Sequence, residues 1–243
     1  MLTIVLAFAL ITTSYVTAKI PSYIHVCGRR DPKIDQCIWN NIDNIKSKIC
    51  EGIPDLDVPP SSPFVLDRLV ISDNPNSKIA IDNSQVSGLC DFDIKFLHVN
   101  LDKLHFDVNL KFKRIQLNST YDLDIRLLVP IVYKGPVYIT TDNVEAKVNM
   151  DMSTVNKNNK RYVYMSKMKI NLDIKGYTAE YGLQAAELGR LNQIIDTFLG
   201  SNQEEVIAAF KPAIEESVVK RILSLSNSIV KHFTFDELFP DRE

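Results

Sequence analysis

The sequence lacks the compositional extremes that mark several protein classes. It has only 8 glycines and 11 prolines in 243 residues, which excludes collagen-like and low-complexity chains. Its 28 basic and 30 acidic side chains leave a net charge of −2, which argues against a nucleic-acid-binding protein. A hydrophobic fraction of 45% is too high for a disordered chain. The composition is that of an ordinary globular protein.

The sequence also lacks the short motifs of common enzymes. It contains no G-x-S-x-G elbow, no Walker A loop, no G-x-G-x-x-G and no H-E-x-x-H. The four histidines are scattered, and His105 falls on the polar face of a predicted strand beside Asp107. We therefore expect no catalytic residue, no metal site and no cofactor. An enzyme would need a polar cluster that the linear sequence hides.

Residues 1–18 have the pattern of a secretory signal peptide. An apolar run from Leu2 to Ile11 leads to the small residues Val16 and Ala18, which suit a cleavage site after Ala18. The run is shorter than the roughly 20 residues of a membrane span, so we expect no stable membrane insertion. A buried N-terminal helix is the alternative. We expect a secreted, soluble, monomeric chain with a single domain over 19–243.

Four cysteines are too few for a disulfide-built miniprotein. In an oxidising compartment, Cys27, Cys37, Cys50 and Cys90 are expected to form disulfides, and their spacings match no zinc site. Of three possible pairings we favour Cys27–Cys37, whose short loop closes easily and would stabilise the fold by roughly 3 kcal/mol. Cys50–Cys90 then follows by elimination. Asn118, in the sequon Asn-Ser-Thr, is a candidate glycosylation site, and an unused sequon is the alternative.

Hydrophobic periodicity divides the chain into three parts. Helical spacing from Asp35 to Cys50 predicts a short amphipathic helix, which Gly52 ends. The middle of the chain alternates polar and apolar residues, which predicts antiparallel strands with one apolar face. These stretches are 104–113, 121–129, 144–152 and 167–174. A phase slip between Phe96 and Leu97 predicts a bulge.

The composition of residues Asn156–Lys160 predicts a hairpin turn. Arg161 follows directly after this turn. The basic residues from Lys157 to Arg161 are most simply a solvated loop. Docking to an acidic partner or a membrane surface is the alternative.

The last third of the chain returns to a helical period. The sequence predicts one helix over Leu188–Phe198, ended by Gly200, and a second of about thirty residues over Ile207–Ile229. Pro212 predicts a kink or a break in the second helix. A long sheet with one apolar face and a long amphipathic helix must bury those faces against each other. The pattern leaves open whether the interior is solid or partly hollow.

Motifs along the mature chain resemble the Takeout/juvenile hormone binding protein family of insects. They are listed here in chain order: Cys27-Gly28-Arg29-Arg30-Asp31-Pro32, leading to Asp35 and Cys37; Gly52-Ile53-Pro54-Asp55-Leu56-Asp57-Val58-Pro59; Leu128-Val129-Pro130-Ile131 with Lys134-Gly135; Leu188-Gly189-Arg190-Leu191-Asn192; Phe210-Lys211-Pro212-Ala213-Ile214; and Phe235-Asp236-Glu237-Leu238-Phe239-Pro240. Their order and spacing carry the resemblance.

The resemblance implies an α+β fold of the lipid-transfer type, in which a long, strongly curved antiparallel sheet wraps around a long C-terminal helix. It also implies a Cys27–Cys37 disulfide and a hydrophobic tunnel for one small lipophilic ligand. Members of the family circulate in haemolymph or chemosensory fluid and are linked to circadian, feeding and chemosensory physiology. The second cysteine pair of juvenile hormone carriers has no counterpart after residue 90, which favours another lipid as the ligand.

The candidate ligand contacts are the apolar residues of the strand and helix faces, with Tyr121 as a possible hydrogen-bond partner for a ligand oxygen. The set is Phe106, Leu110, Phe112, Tyr121, Leu123, Ile125, Leu127, Met150, Met152, Met168, Ile170, Leu172, Phe210, Ile214 and Val218. Ordinary core packing is the alternative for each residue. The alternative for the whole chain is a secreted signalling or structural factor with a packed interior, which docks to a receptor or a membrane through its surface.

Overall fold

The computed structural model describes residues 20–126, 130–182 and 201–243, without the side chain of Ile131. The predicted signal peptide, Leu127, and the helix predicted over 188–198 with Gly200 lie outside the described residues.

The described elements follow one another from a short helix through eight strands to a long helix. In chain order they are α1 (Ile34–Glu51), a 3-10 turn (Pro54–Leu56), β1 (Phe64–Leu66), β2 (Leu69–Asn74), β3 (Ser77–Ser87), β4 (Phe92–Asn100), β5 (His105–Arg126), β6 (Pro130–Lys157), β7 (Lys160–Asp173), β8 (Thr178–Tyr181), α2 (Gln203–Val230) and α3 (Phe235–Leu238).

The strands form one antiparallel sheet with the path β1-β3-β5-β6-β7. β2 pairs with β3, β4 with β5 and β8 with β6. The two longest strands, β5 and β6, pair along their whole length, from His105 opposite Asp151 to Arg126 opposite Pro130. Each of them pairs with two shorter strands along its other side. From its start, β5 pairs first with β4 and then with β3. From its start, β6 pairs first with β8 and then with β7.

Two local predictions in the sheet are confirmed. The register between β4 and β5 shifts between Ile94 and Phe96, which places the predicted bulge next to the phase slip. The hairpin between β6 and β7 turns at Asn158 and Asn159, which have φ angles of 53° and 58°. Two successive residues of positive φ are the requirement of a type I′ hairpin turn, and asparagine accepts that conformation readily.

The prediction of separate strands over 104–113 and 121–129 is wrong, because residues 105–113 and 121–126 belong to one strand, the 22-residue β5. Residues 127–129 lie outside the described residues. The alternation changes phase between Phe112 and Ile115, where Lys113 and Arg114 are both exposed. Opposite them, Asp142 and Asn143 of β6 are both exposed as well, and the Arg114 Nε donates to an Asp142 carboxylate oxygen over 2.7 Å. Since both strands change phase at the same level, the pairing continues and the apolar side chains remain on the inner face.

The long C-terminal helix is confirmed as α2, with 28 residues and a length of about 42 Å. The helix runs through Pro212 without the break that was one of the two expected outcomes. Proline removes the hydrogen bond to the carbonyl four residues earlier, that of Ala208. Pro212 and Ala208 are both exposed, so this carbonyl lies on the water side of the helix, where solvent can satisfy it.

The sheet curves around α2, because the helix contacts strands from both ends of the strand path. One side of α2 packs on the β1–β3 cluster, defined by Phe64, Leu66, Leu69, Ile81 and Val86. The other packs on the β5–β7 cluster, defined by Phe112, Val144, Ala146 and Ile170. The curved antiparallel sheet around a long C-terminal helix is the fold that the sequence predicts.

Polar side chains of α2 bind the free backbone edge along β7. The Asn227 amide accepts from the Met165 N–H (2.7 Å) and donates to the Met165 carbonyl (3.0 Å). A Glu215 carboxylate oxygen accepts from the N–H of Leu172 over 2.7 Å. The Gln203 amide pairs in the same two-way manner with the backbone of Tyr177, just after β7. These bonds fix the position of the helix along the edge and satisfy backbone groups that would otherwise lack a partner.

The helix α1 covers one end of the sheet and is fixed by both predicted disulfides. Cys27–Cys37 joins the N-terminal loop to its first turns, and Cys50–Cys90 joins its last turn to the segment between β3 and β4. Asp35, near its start, accepts from the backbone N–H of Val99 over 2.8 Å, at the edge of β4. Apolar residues of α1 pack on the α1 cluster, which consists of Ile94, Leu97, Val99, Phe106 and Met152.

The C-terminal tail returns to this end of the molecule. The backbone N–H groups of Arg29 and Arg30 donate to the carbonyls of Pro240 and Arg242 over 3.0 and 3.1 Å. A Cβ atom at Gly28 would lie 2.2 Å from the Arg242 carbonyl oxygen, so the tail can approach only a glycine there. The two chain ends are thus joined through the motif that begins at Cys27.

We expect Asn227→Ala to lower the free energy of unfolding by about 1–3 kcal/mol, because the edge groups of Met165 lose both partners in a half-buried site. Urea unfolding of the oxidised protein measures this change. The control is Ser224→Ala at an exposed position of the same helix, for which we expect a change within about 0.5 kcal/mol. Equal effects of the two substitutions would contradict a tie between α2 and β7.

Candidate ligand-binding site

The candidate site is the interface between the apolar face of α2 and the inner face of the sheet. Phe210, Ile214 and Val218 of α2 pack on the β1–β3 cluster, and Val218 also packs on the β5–β7 cluster. Val218 thus lies between the two walls. Along α2, all of whose residues the structure describes, no side chain is buried.

The predicted contacts divide into buried and half-buried residues. Those that are buried are Phe106, Phe112, Tyr121, Met152 and Ile170. Those that remain half-buried are Leu110, Leu123, Ile125, Met150, Met168, Leu172, Phe210, Ile214 and Val218. These half-buried residues contact the interior and keep apolar surface that a ligand could cover. The half-buried residues of α2 and the β5–β7 cluster are therefore the stronger candidates for ligand contacts.

Not all of the predicted residues lie beside α2. Phe106 and Met152 belong to the α1 cluster, with Met150 packed against it, so the structure places them at the end of the sheet that α1 covers. Leu123 and Ile125 belong to none of the buried clusters of the described residues. They lie on the second half of β5, opposite Ile79 and Ser77 of β3.

Sequence reasoning left out several residues of the same interface. Ile222 and Leu225 continue the α2 face onto the β1–β3 cluster, and Ile115 and Leu117 of β5 join it from the sheet. Ile222 and Leu225 already belonged to the helical period of the predicted helix, although they were not among the predicted ligand contacts. The strand residues follow the phase change at Lys113–Arg114, which the linear alternation does not reveal.

Tyr121 is the polar residue of the set, and only 8% of its surface is exposed. It lies opposite Gly135 of β6 and packs edge-on against Tyr181, with ring centroids 5.9 Å apart. Burial, and to a smaller degree Tyr133, raises the pKa of its hydroxyl, which therefore remains a neutral donor. Among the residues that the structure describes, this hydroxyl forms no hydrogen bond. A buried donor without a partner is costly, so this position suits a bound polar atom.

His105 forms an electrostatic cluster on the outer face of the sheet. Its Nδ1 lies 2.6 Å from an Asp151 oxygen and its Nε2 lies 3.2 Å from an Asp107 oxygen. The hydrogen bond to Asp151, together with that to Asp107, raises the pKa of His105. Hydrogen bonds from Asn149 and then His105 lower the pKa of Asp107. The residue is half-buried among carboxylates, which suits an ion pair.

Two clefts of the described residues lie on the outer surface. One of about 510 Å³ is lined by Arg29, Asn156, Asn159, Lys160, Arg161, Thr234 and Asp236. The second, of about 330 Å³, is lined by Ser62, Pro63, Gln85, Ser87, Gln116, Leu117, Asn118, Tyr138, Ile139 and Thr140. Asn118 is exposed there, so its sequon is accessible, and glycosylation stays a prediction.

No three His, Cys, Asp or Glu side chains among the described residues are placed to hold a metal ion. None of the helices in the described ranges combines the length and apolarity that a membrane span requires.

The profile of the family described as Haemolymph juvenile hormone binding protein (JHBP) matches residues 3–240. No curated protein matches the chain. The crystal structure of Epiphyas postvittana Takeout 1 superposes with a TM-score of 0.72 at 19% identity, over 88% of this chain and 98% of that one. This similarity shows a shared fold.

Two weaker similarities carry no argument. Lipopolysaccharide binding protein gives a TM-score of 0.39 at 10% identity, over 78% of this chain and 36% of that one. Latherin gives a TM-score of 0.21 at 14% identity, over 82% of this chain and 80% of that one.

We expect the free energy of unfolding to fall as the pH rises through the folded-state pKa of His105. Because that pKa lies above the ordinary value of 6.5, the ion pairs of His105 contribute fully below that value and are lost above the raised one. NMR titration of the imidazole measures the pKa directly. Asp151→Asn removes the largest cause and should lower the His105 pKa. An unchanged pKa in this variant would contradict the assignment.

Proposed function

The chain belongs to the haemolymph juvenile hormone binding protein family, and from this membership we propose that it is a secreted carrier that holds one small hydrophobic ligand between α2 and the sheet. The observation that carries the proposal is that the long helix has an apolar face toward the sheet and yet no buried side chain. A helix that served only to fill a core would bury part of that face.

The mechanism is non-covalent sequestration. An apolar ligand gains about 25 cal/mol for each Å² of apolar surface that leaves water. Burial of roughly 400 Å² would gain about 10 kcal/mol, against an association cost of about 4–15 kcal/mol. At the lowest of these costs the net gain is about 6 kcal/mol, which corresponds to a dissociation constant of tens of micromolar and allows both uptake and release.

The proposed ligand has a long apolar body and one polar end. The half-buried side chains of α2 and the β5–β7 cluster would contact the body, and the buried Tyr121 hydroxyl would bind an oxygen atom at the end. A fatty acid or a terpenoid has this character, and juvenile hormone is one such terpenoid. The absence of a second cysteine pair after residue 90 favours a different lipid.

The proposed setting is an extracellular fluid such as haemolymph or chemosensory fluid. The pattern of residues 1–18 and the two disulfides support secretion. A role in circadian, feeding or chemosensory physiology, an acceptor protein and a monomeric state belong to the same proposal. We propose no catalytic function.

The direct test is the identification of a bound lipid. Organic extraction of the purified, oxidised protein, followed by mass spectrometry, should release a hydrophobic molecule. The delipidated protein should bind a fluorescent fatty acid, and an unlabelled lipid should displace it. A folded sample that neither contains a lipid nor binds the probe would overturn the carrier function.

We expect Val218→Trp to abolish probe binding without a loss of stability, because the indole would occupy the space between the two walls. If that space were already packed, the larger side chain would cost about 1–3 kcal/mol of stability instead. Probe titration and urea unfolding together distinguish these outcomes. Ala208→Trp, at an exposed position of α2, is the matched control and should change neither. A destabilised Val218→Trp would favour the alternative, a signalling or structural factor with a packed interior.

We expect Tyr121→Phe to weaken binding of a fatty acid or a terpenoid ester about 5- to 10-fold, because one hydrogen bond contributes about 1 kcal/mol. Binding of a hydrocarbon probe without oxygen should be unchanged, which serves as the control. Since the hydroxyl has no partner among the described residues, the variant should be as stable as the parent or more so. Equal weakening for both ligands would show that Tyr121 contributes shape and not a hydrogen bond.

A further inference from the structure

The cleft at the tip of the β6–β7 hairpin has a geometry and a charge that the carrier function does not use. Its walls come from the hairpin turn and from two distant segments, Arg29 of the N-terminal loop and Thr234–Asp236 before and in α3. A bridge between Tyr162 and Thr234 holds the C-terminal segment against the hairpin. The cleft is therefore formed by the fold and not by one loop.

The cleft and the hairpin tip beside it carry an excess of positive charge. Within the described ranges, Lys157, Lys160 and Arg161 have no carboxylate at ion-pair distance. The acidic residues of the surroundings are already engaged, since Asp236 and Asp241 pair with Arg29 over 2.7 and 3.3 Å. In α3 the Glu237 carboxylate accepts from the backbone N–H and the hydroxyl of Thr234, and it completes a capping box. In a chain of net charge −2, this end is locally cationic.

Arg161 is held in place for a polar partner. Its guanidinium lies 3.7 Å from the centroid of the Phe235 ring, and the Arg29 guanidinium lies 5.7 Å from the same ring. Stacking on an aromatic face fixes the plane of a guanidinium and leaves its N–H edge free. Such an edge matches the two oxygens of a phosphate group. The amide side chains of Asn156 and Asn159 add hydrogen-bonding groups to the same cleft.

The opposite face of the same hairpin exposes apolar surface beside Lys157 and Lys160. Val155, directly before Asn156, is 52% exposed, and Tyr164 on β7 is 44% exposed. Tyrosine and long basic side chains are the residues that favour the boundary between lipid headgroups and acyl chains. A soluble phosphate would use the cations alone, whereas a lipid surface uses both features.

We propose that the β6–β7 hairpin tip docks the protein onto bilayers that contain anionic phospholipids, with headgroup phosphates bound by Arg161, Lys160 and Lys157. The docking is peripheral, and it does not depend on the identity of the carried ligand. It would bring the molecule to the surface in which a hydrophobic cargo is dissolved.

The test is sedimentation of the intact, oxidised protein with vesicles. Binding is expected to vesicles of 70% phosphatidylcholine and 30% phosphatidylglycerol, and not to pure phosphatidylcholine, and it should fall in high salt. The double variant Lys157→Ala/Lys160→Ala should weaken binding about 30-fold, because each cation near an anionic surface contributes about a factor of 5. Neither lysine has an ion-pair partner among the described residues, so the fold should be unaffected.

The matched control is Lys78→Ala/Lys134→Ala, which removes the same charge from exposed positions of β3 and β6 away from the tip. It should keep more than half of the parent affinity. Equal losses in the two double variants, or equal binding to neutral vesicles, would overturn the proposal. Saturation of the hairpin by millimolar inorganic phosphate, or tighter binding to polyglutamate than to anionic vesicles, would overturn the choice of a lipid surface.

Discussion

The structure depends on how the free edges of its sheet are satisfied. In the part of the chain that the structure describes, β4 and β7 each pair with one strand only, so the backbone N–H and C=O groups along their other side need further partners. The two long helices supply the partners through polar side chains: Asp35 of α1 binds the edge of β4, and Glu215 and Asn227 of α2 bind the edge of β7. These are bonds between a side chain and a strand backbone, which fix a helix at a given height and rotation. Each helix is therefore held by its polar residues as well as by hydrophobic contacts.

This division of roles explains how α2 keeps an accessible apolar face. A helix that is held only by hydrophobic packing must bury its apolar side chains to remain in place. Because Gln203, Glu215 and Asn227 bind the β7 side, Phe210, Ile214 and Val218 need not be tightly packed. Their accessible apolar surface is compatible with a ligand that contributes further contacts. The family match agrees with a carrier of a hydrophobic ligand.

The elements that follow from local patterns could be predicted from the sequence, whereas those that depend on distant contacts could not. The α2 period, the bulge near Phe96 and the turn at Asn158–Asn159 follow from residues close in sequence. The union of two predicted strands into β5 could not be foreseen, because it requires a matching phase change in β6. The candidate site shows the same limit: Val218 followed from its helical period, but the placement of Phe106 under α1 and of Arg161 on Phe235 depends on residues far apart in the chain.

The two disulfides have a common feature, since each has one cysteine in α1 and the other outside it. No side chain of α1 is buried, and the helix covers the α1 cluster at one end of the sheet. Reduction of the disulfides would therefore loosen only the attachment of α1 to the rest of the protein. The strands and α2 contain no disulfide that reduction could break. Protein produced in a reducing cytoplasm would differ from the oxidised form mainly in how firmly this end is closed. Measurements of cargo retention are thus comparable only between preparations with the same thiol content.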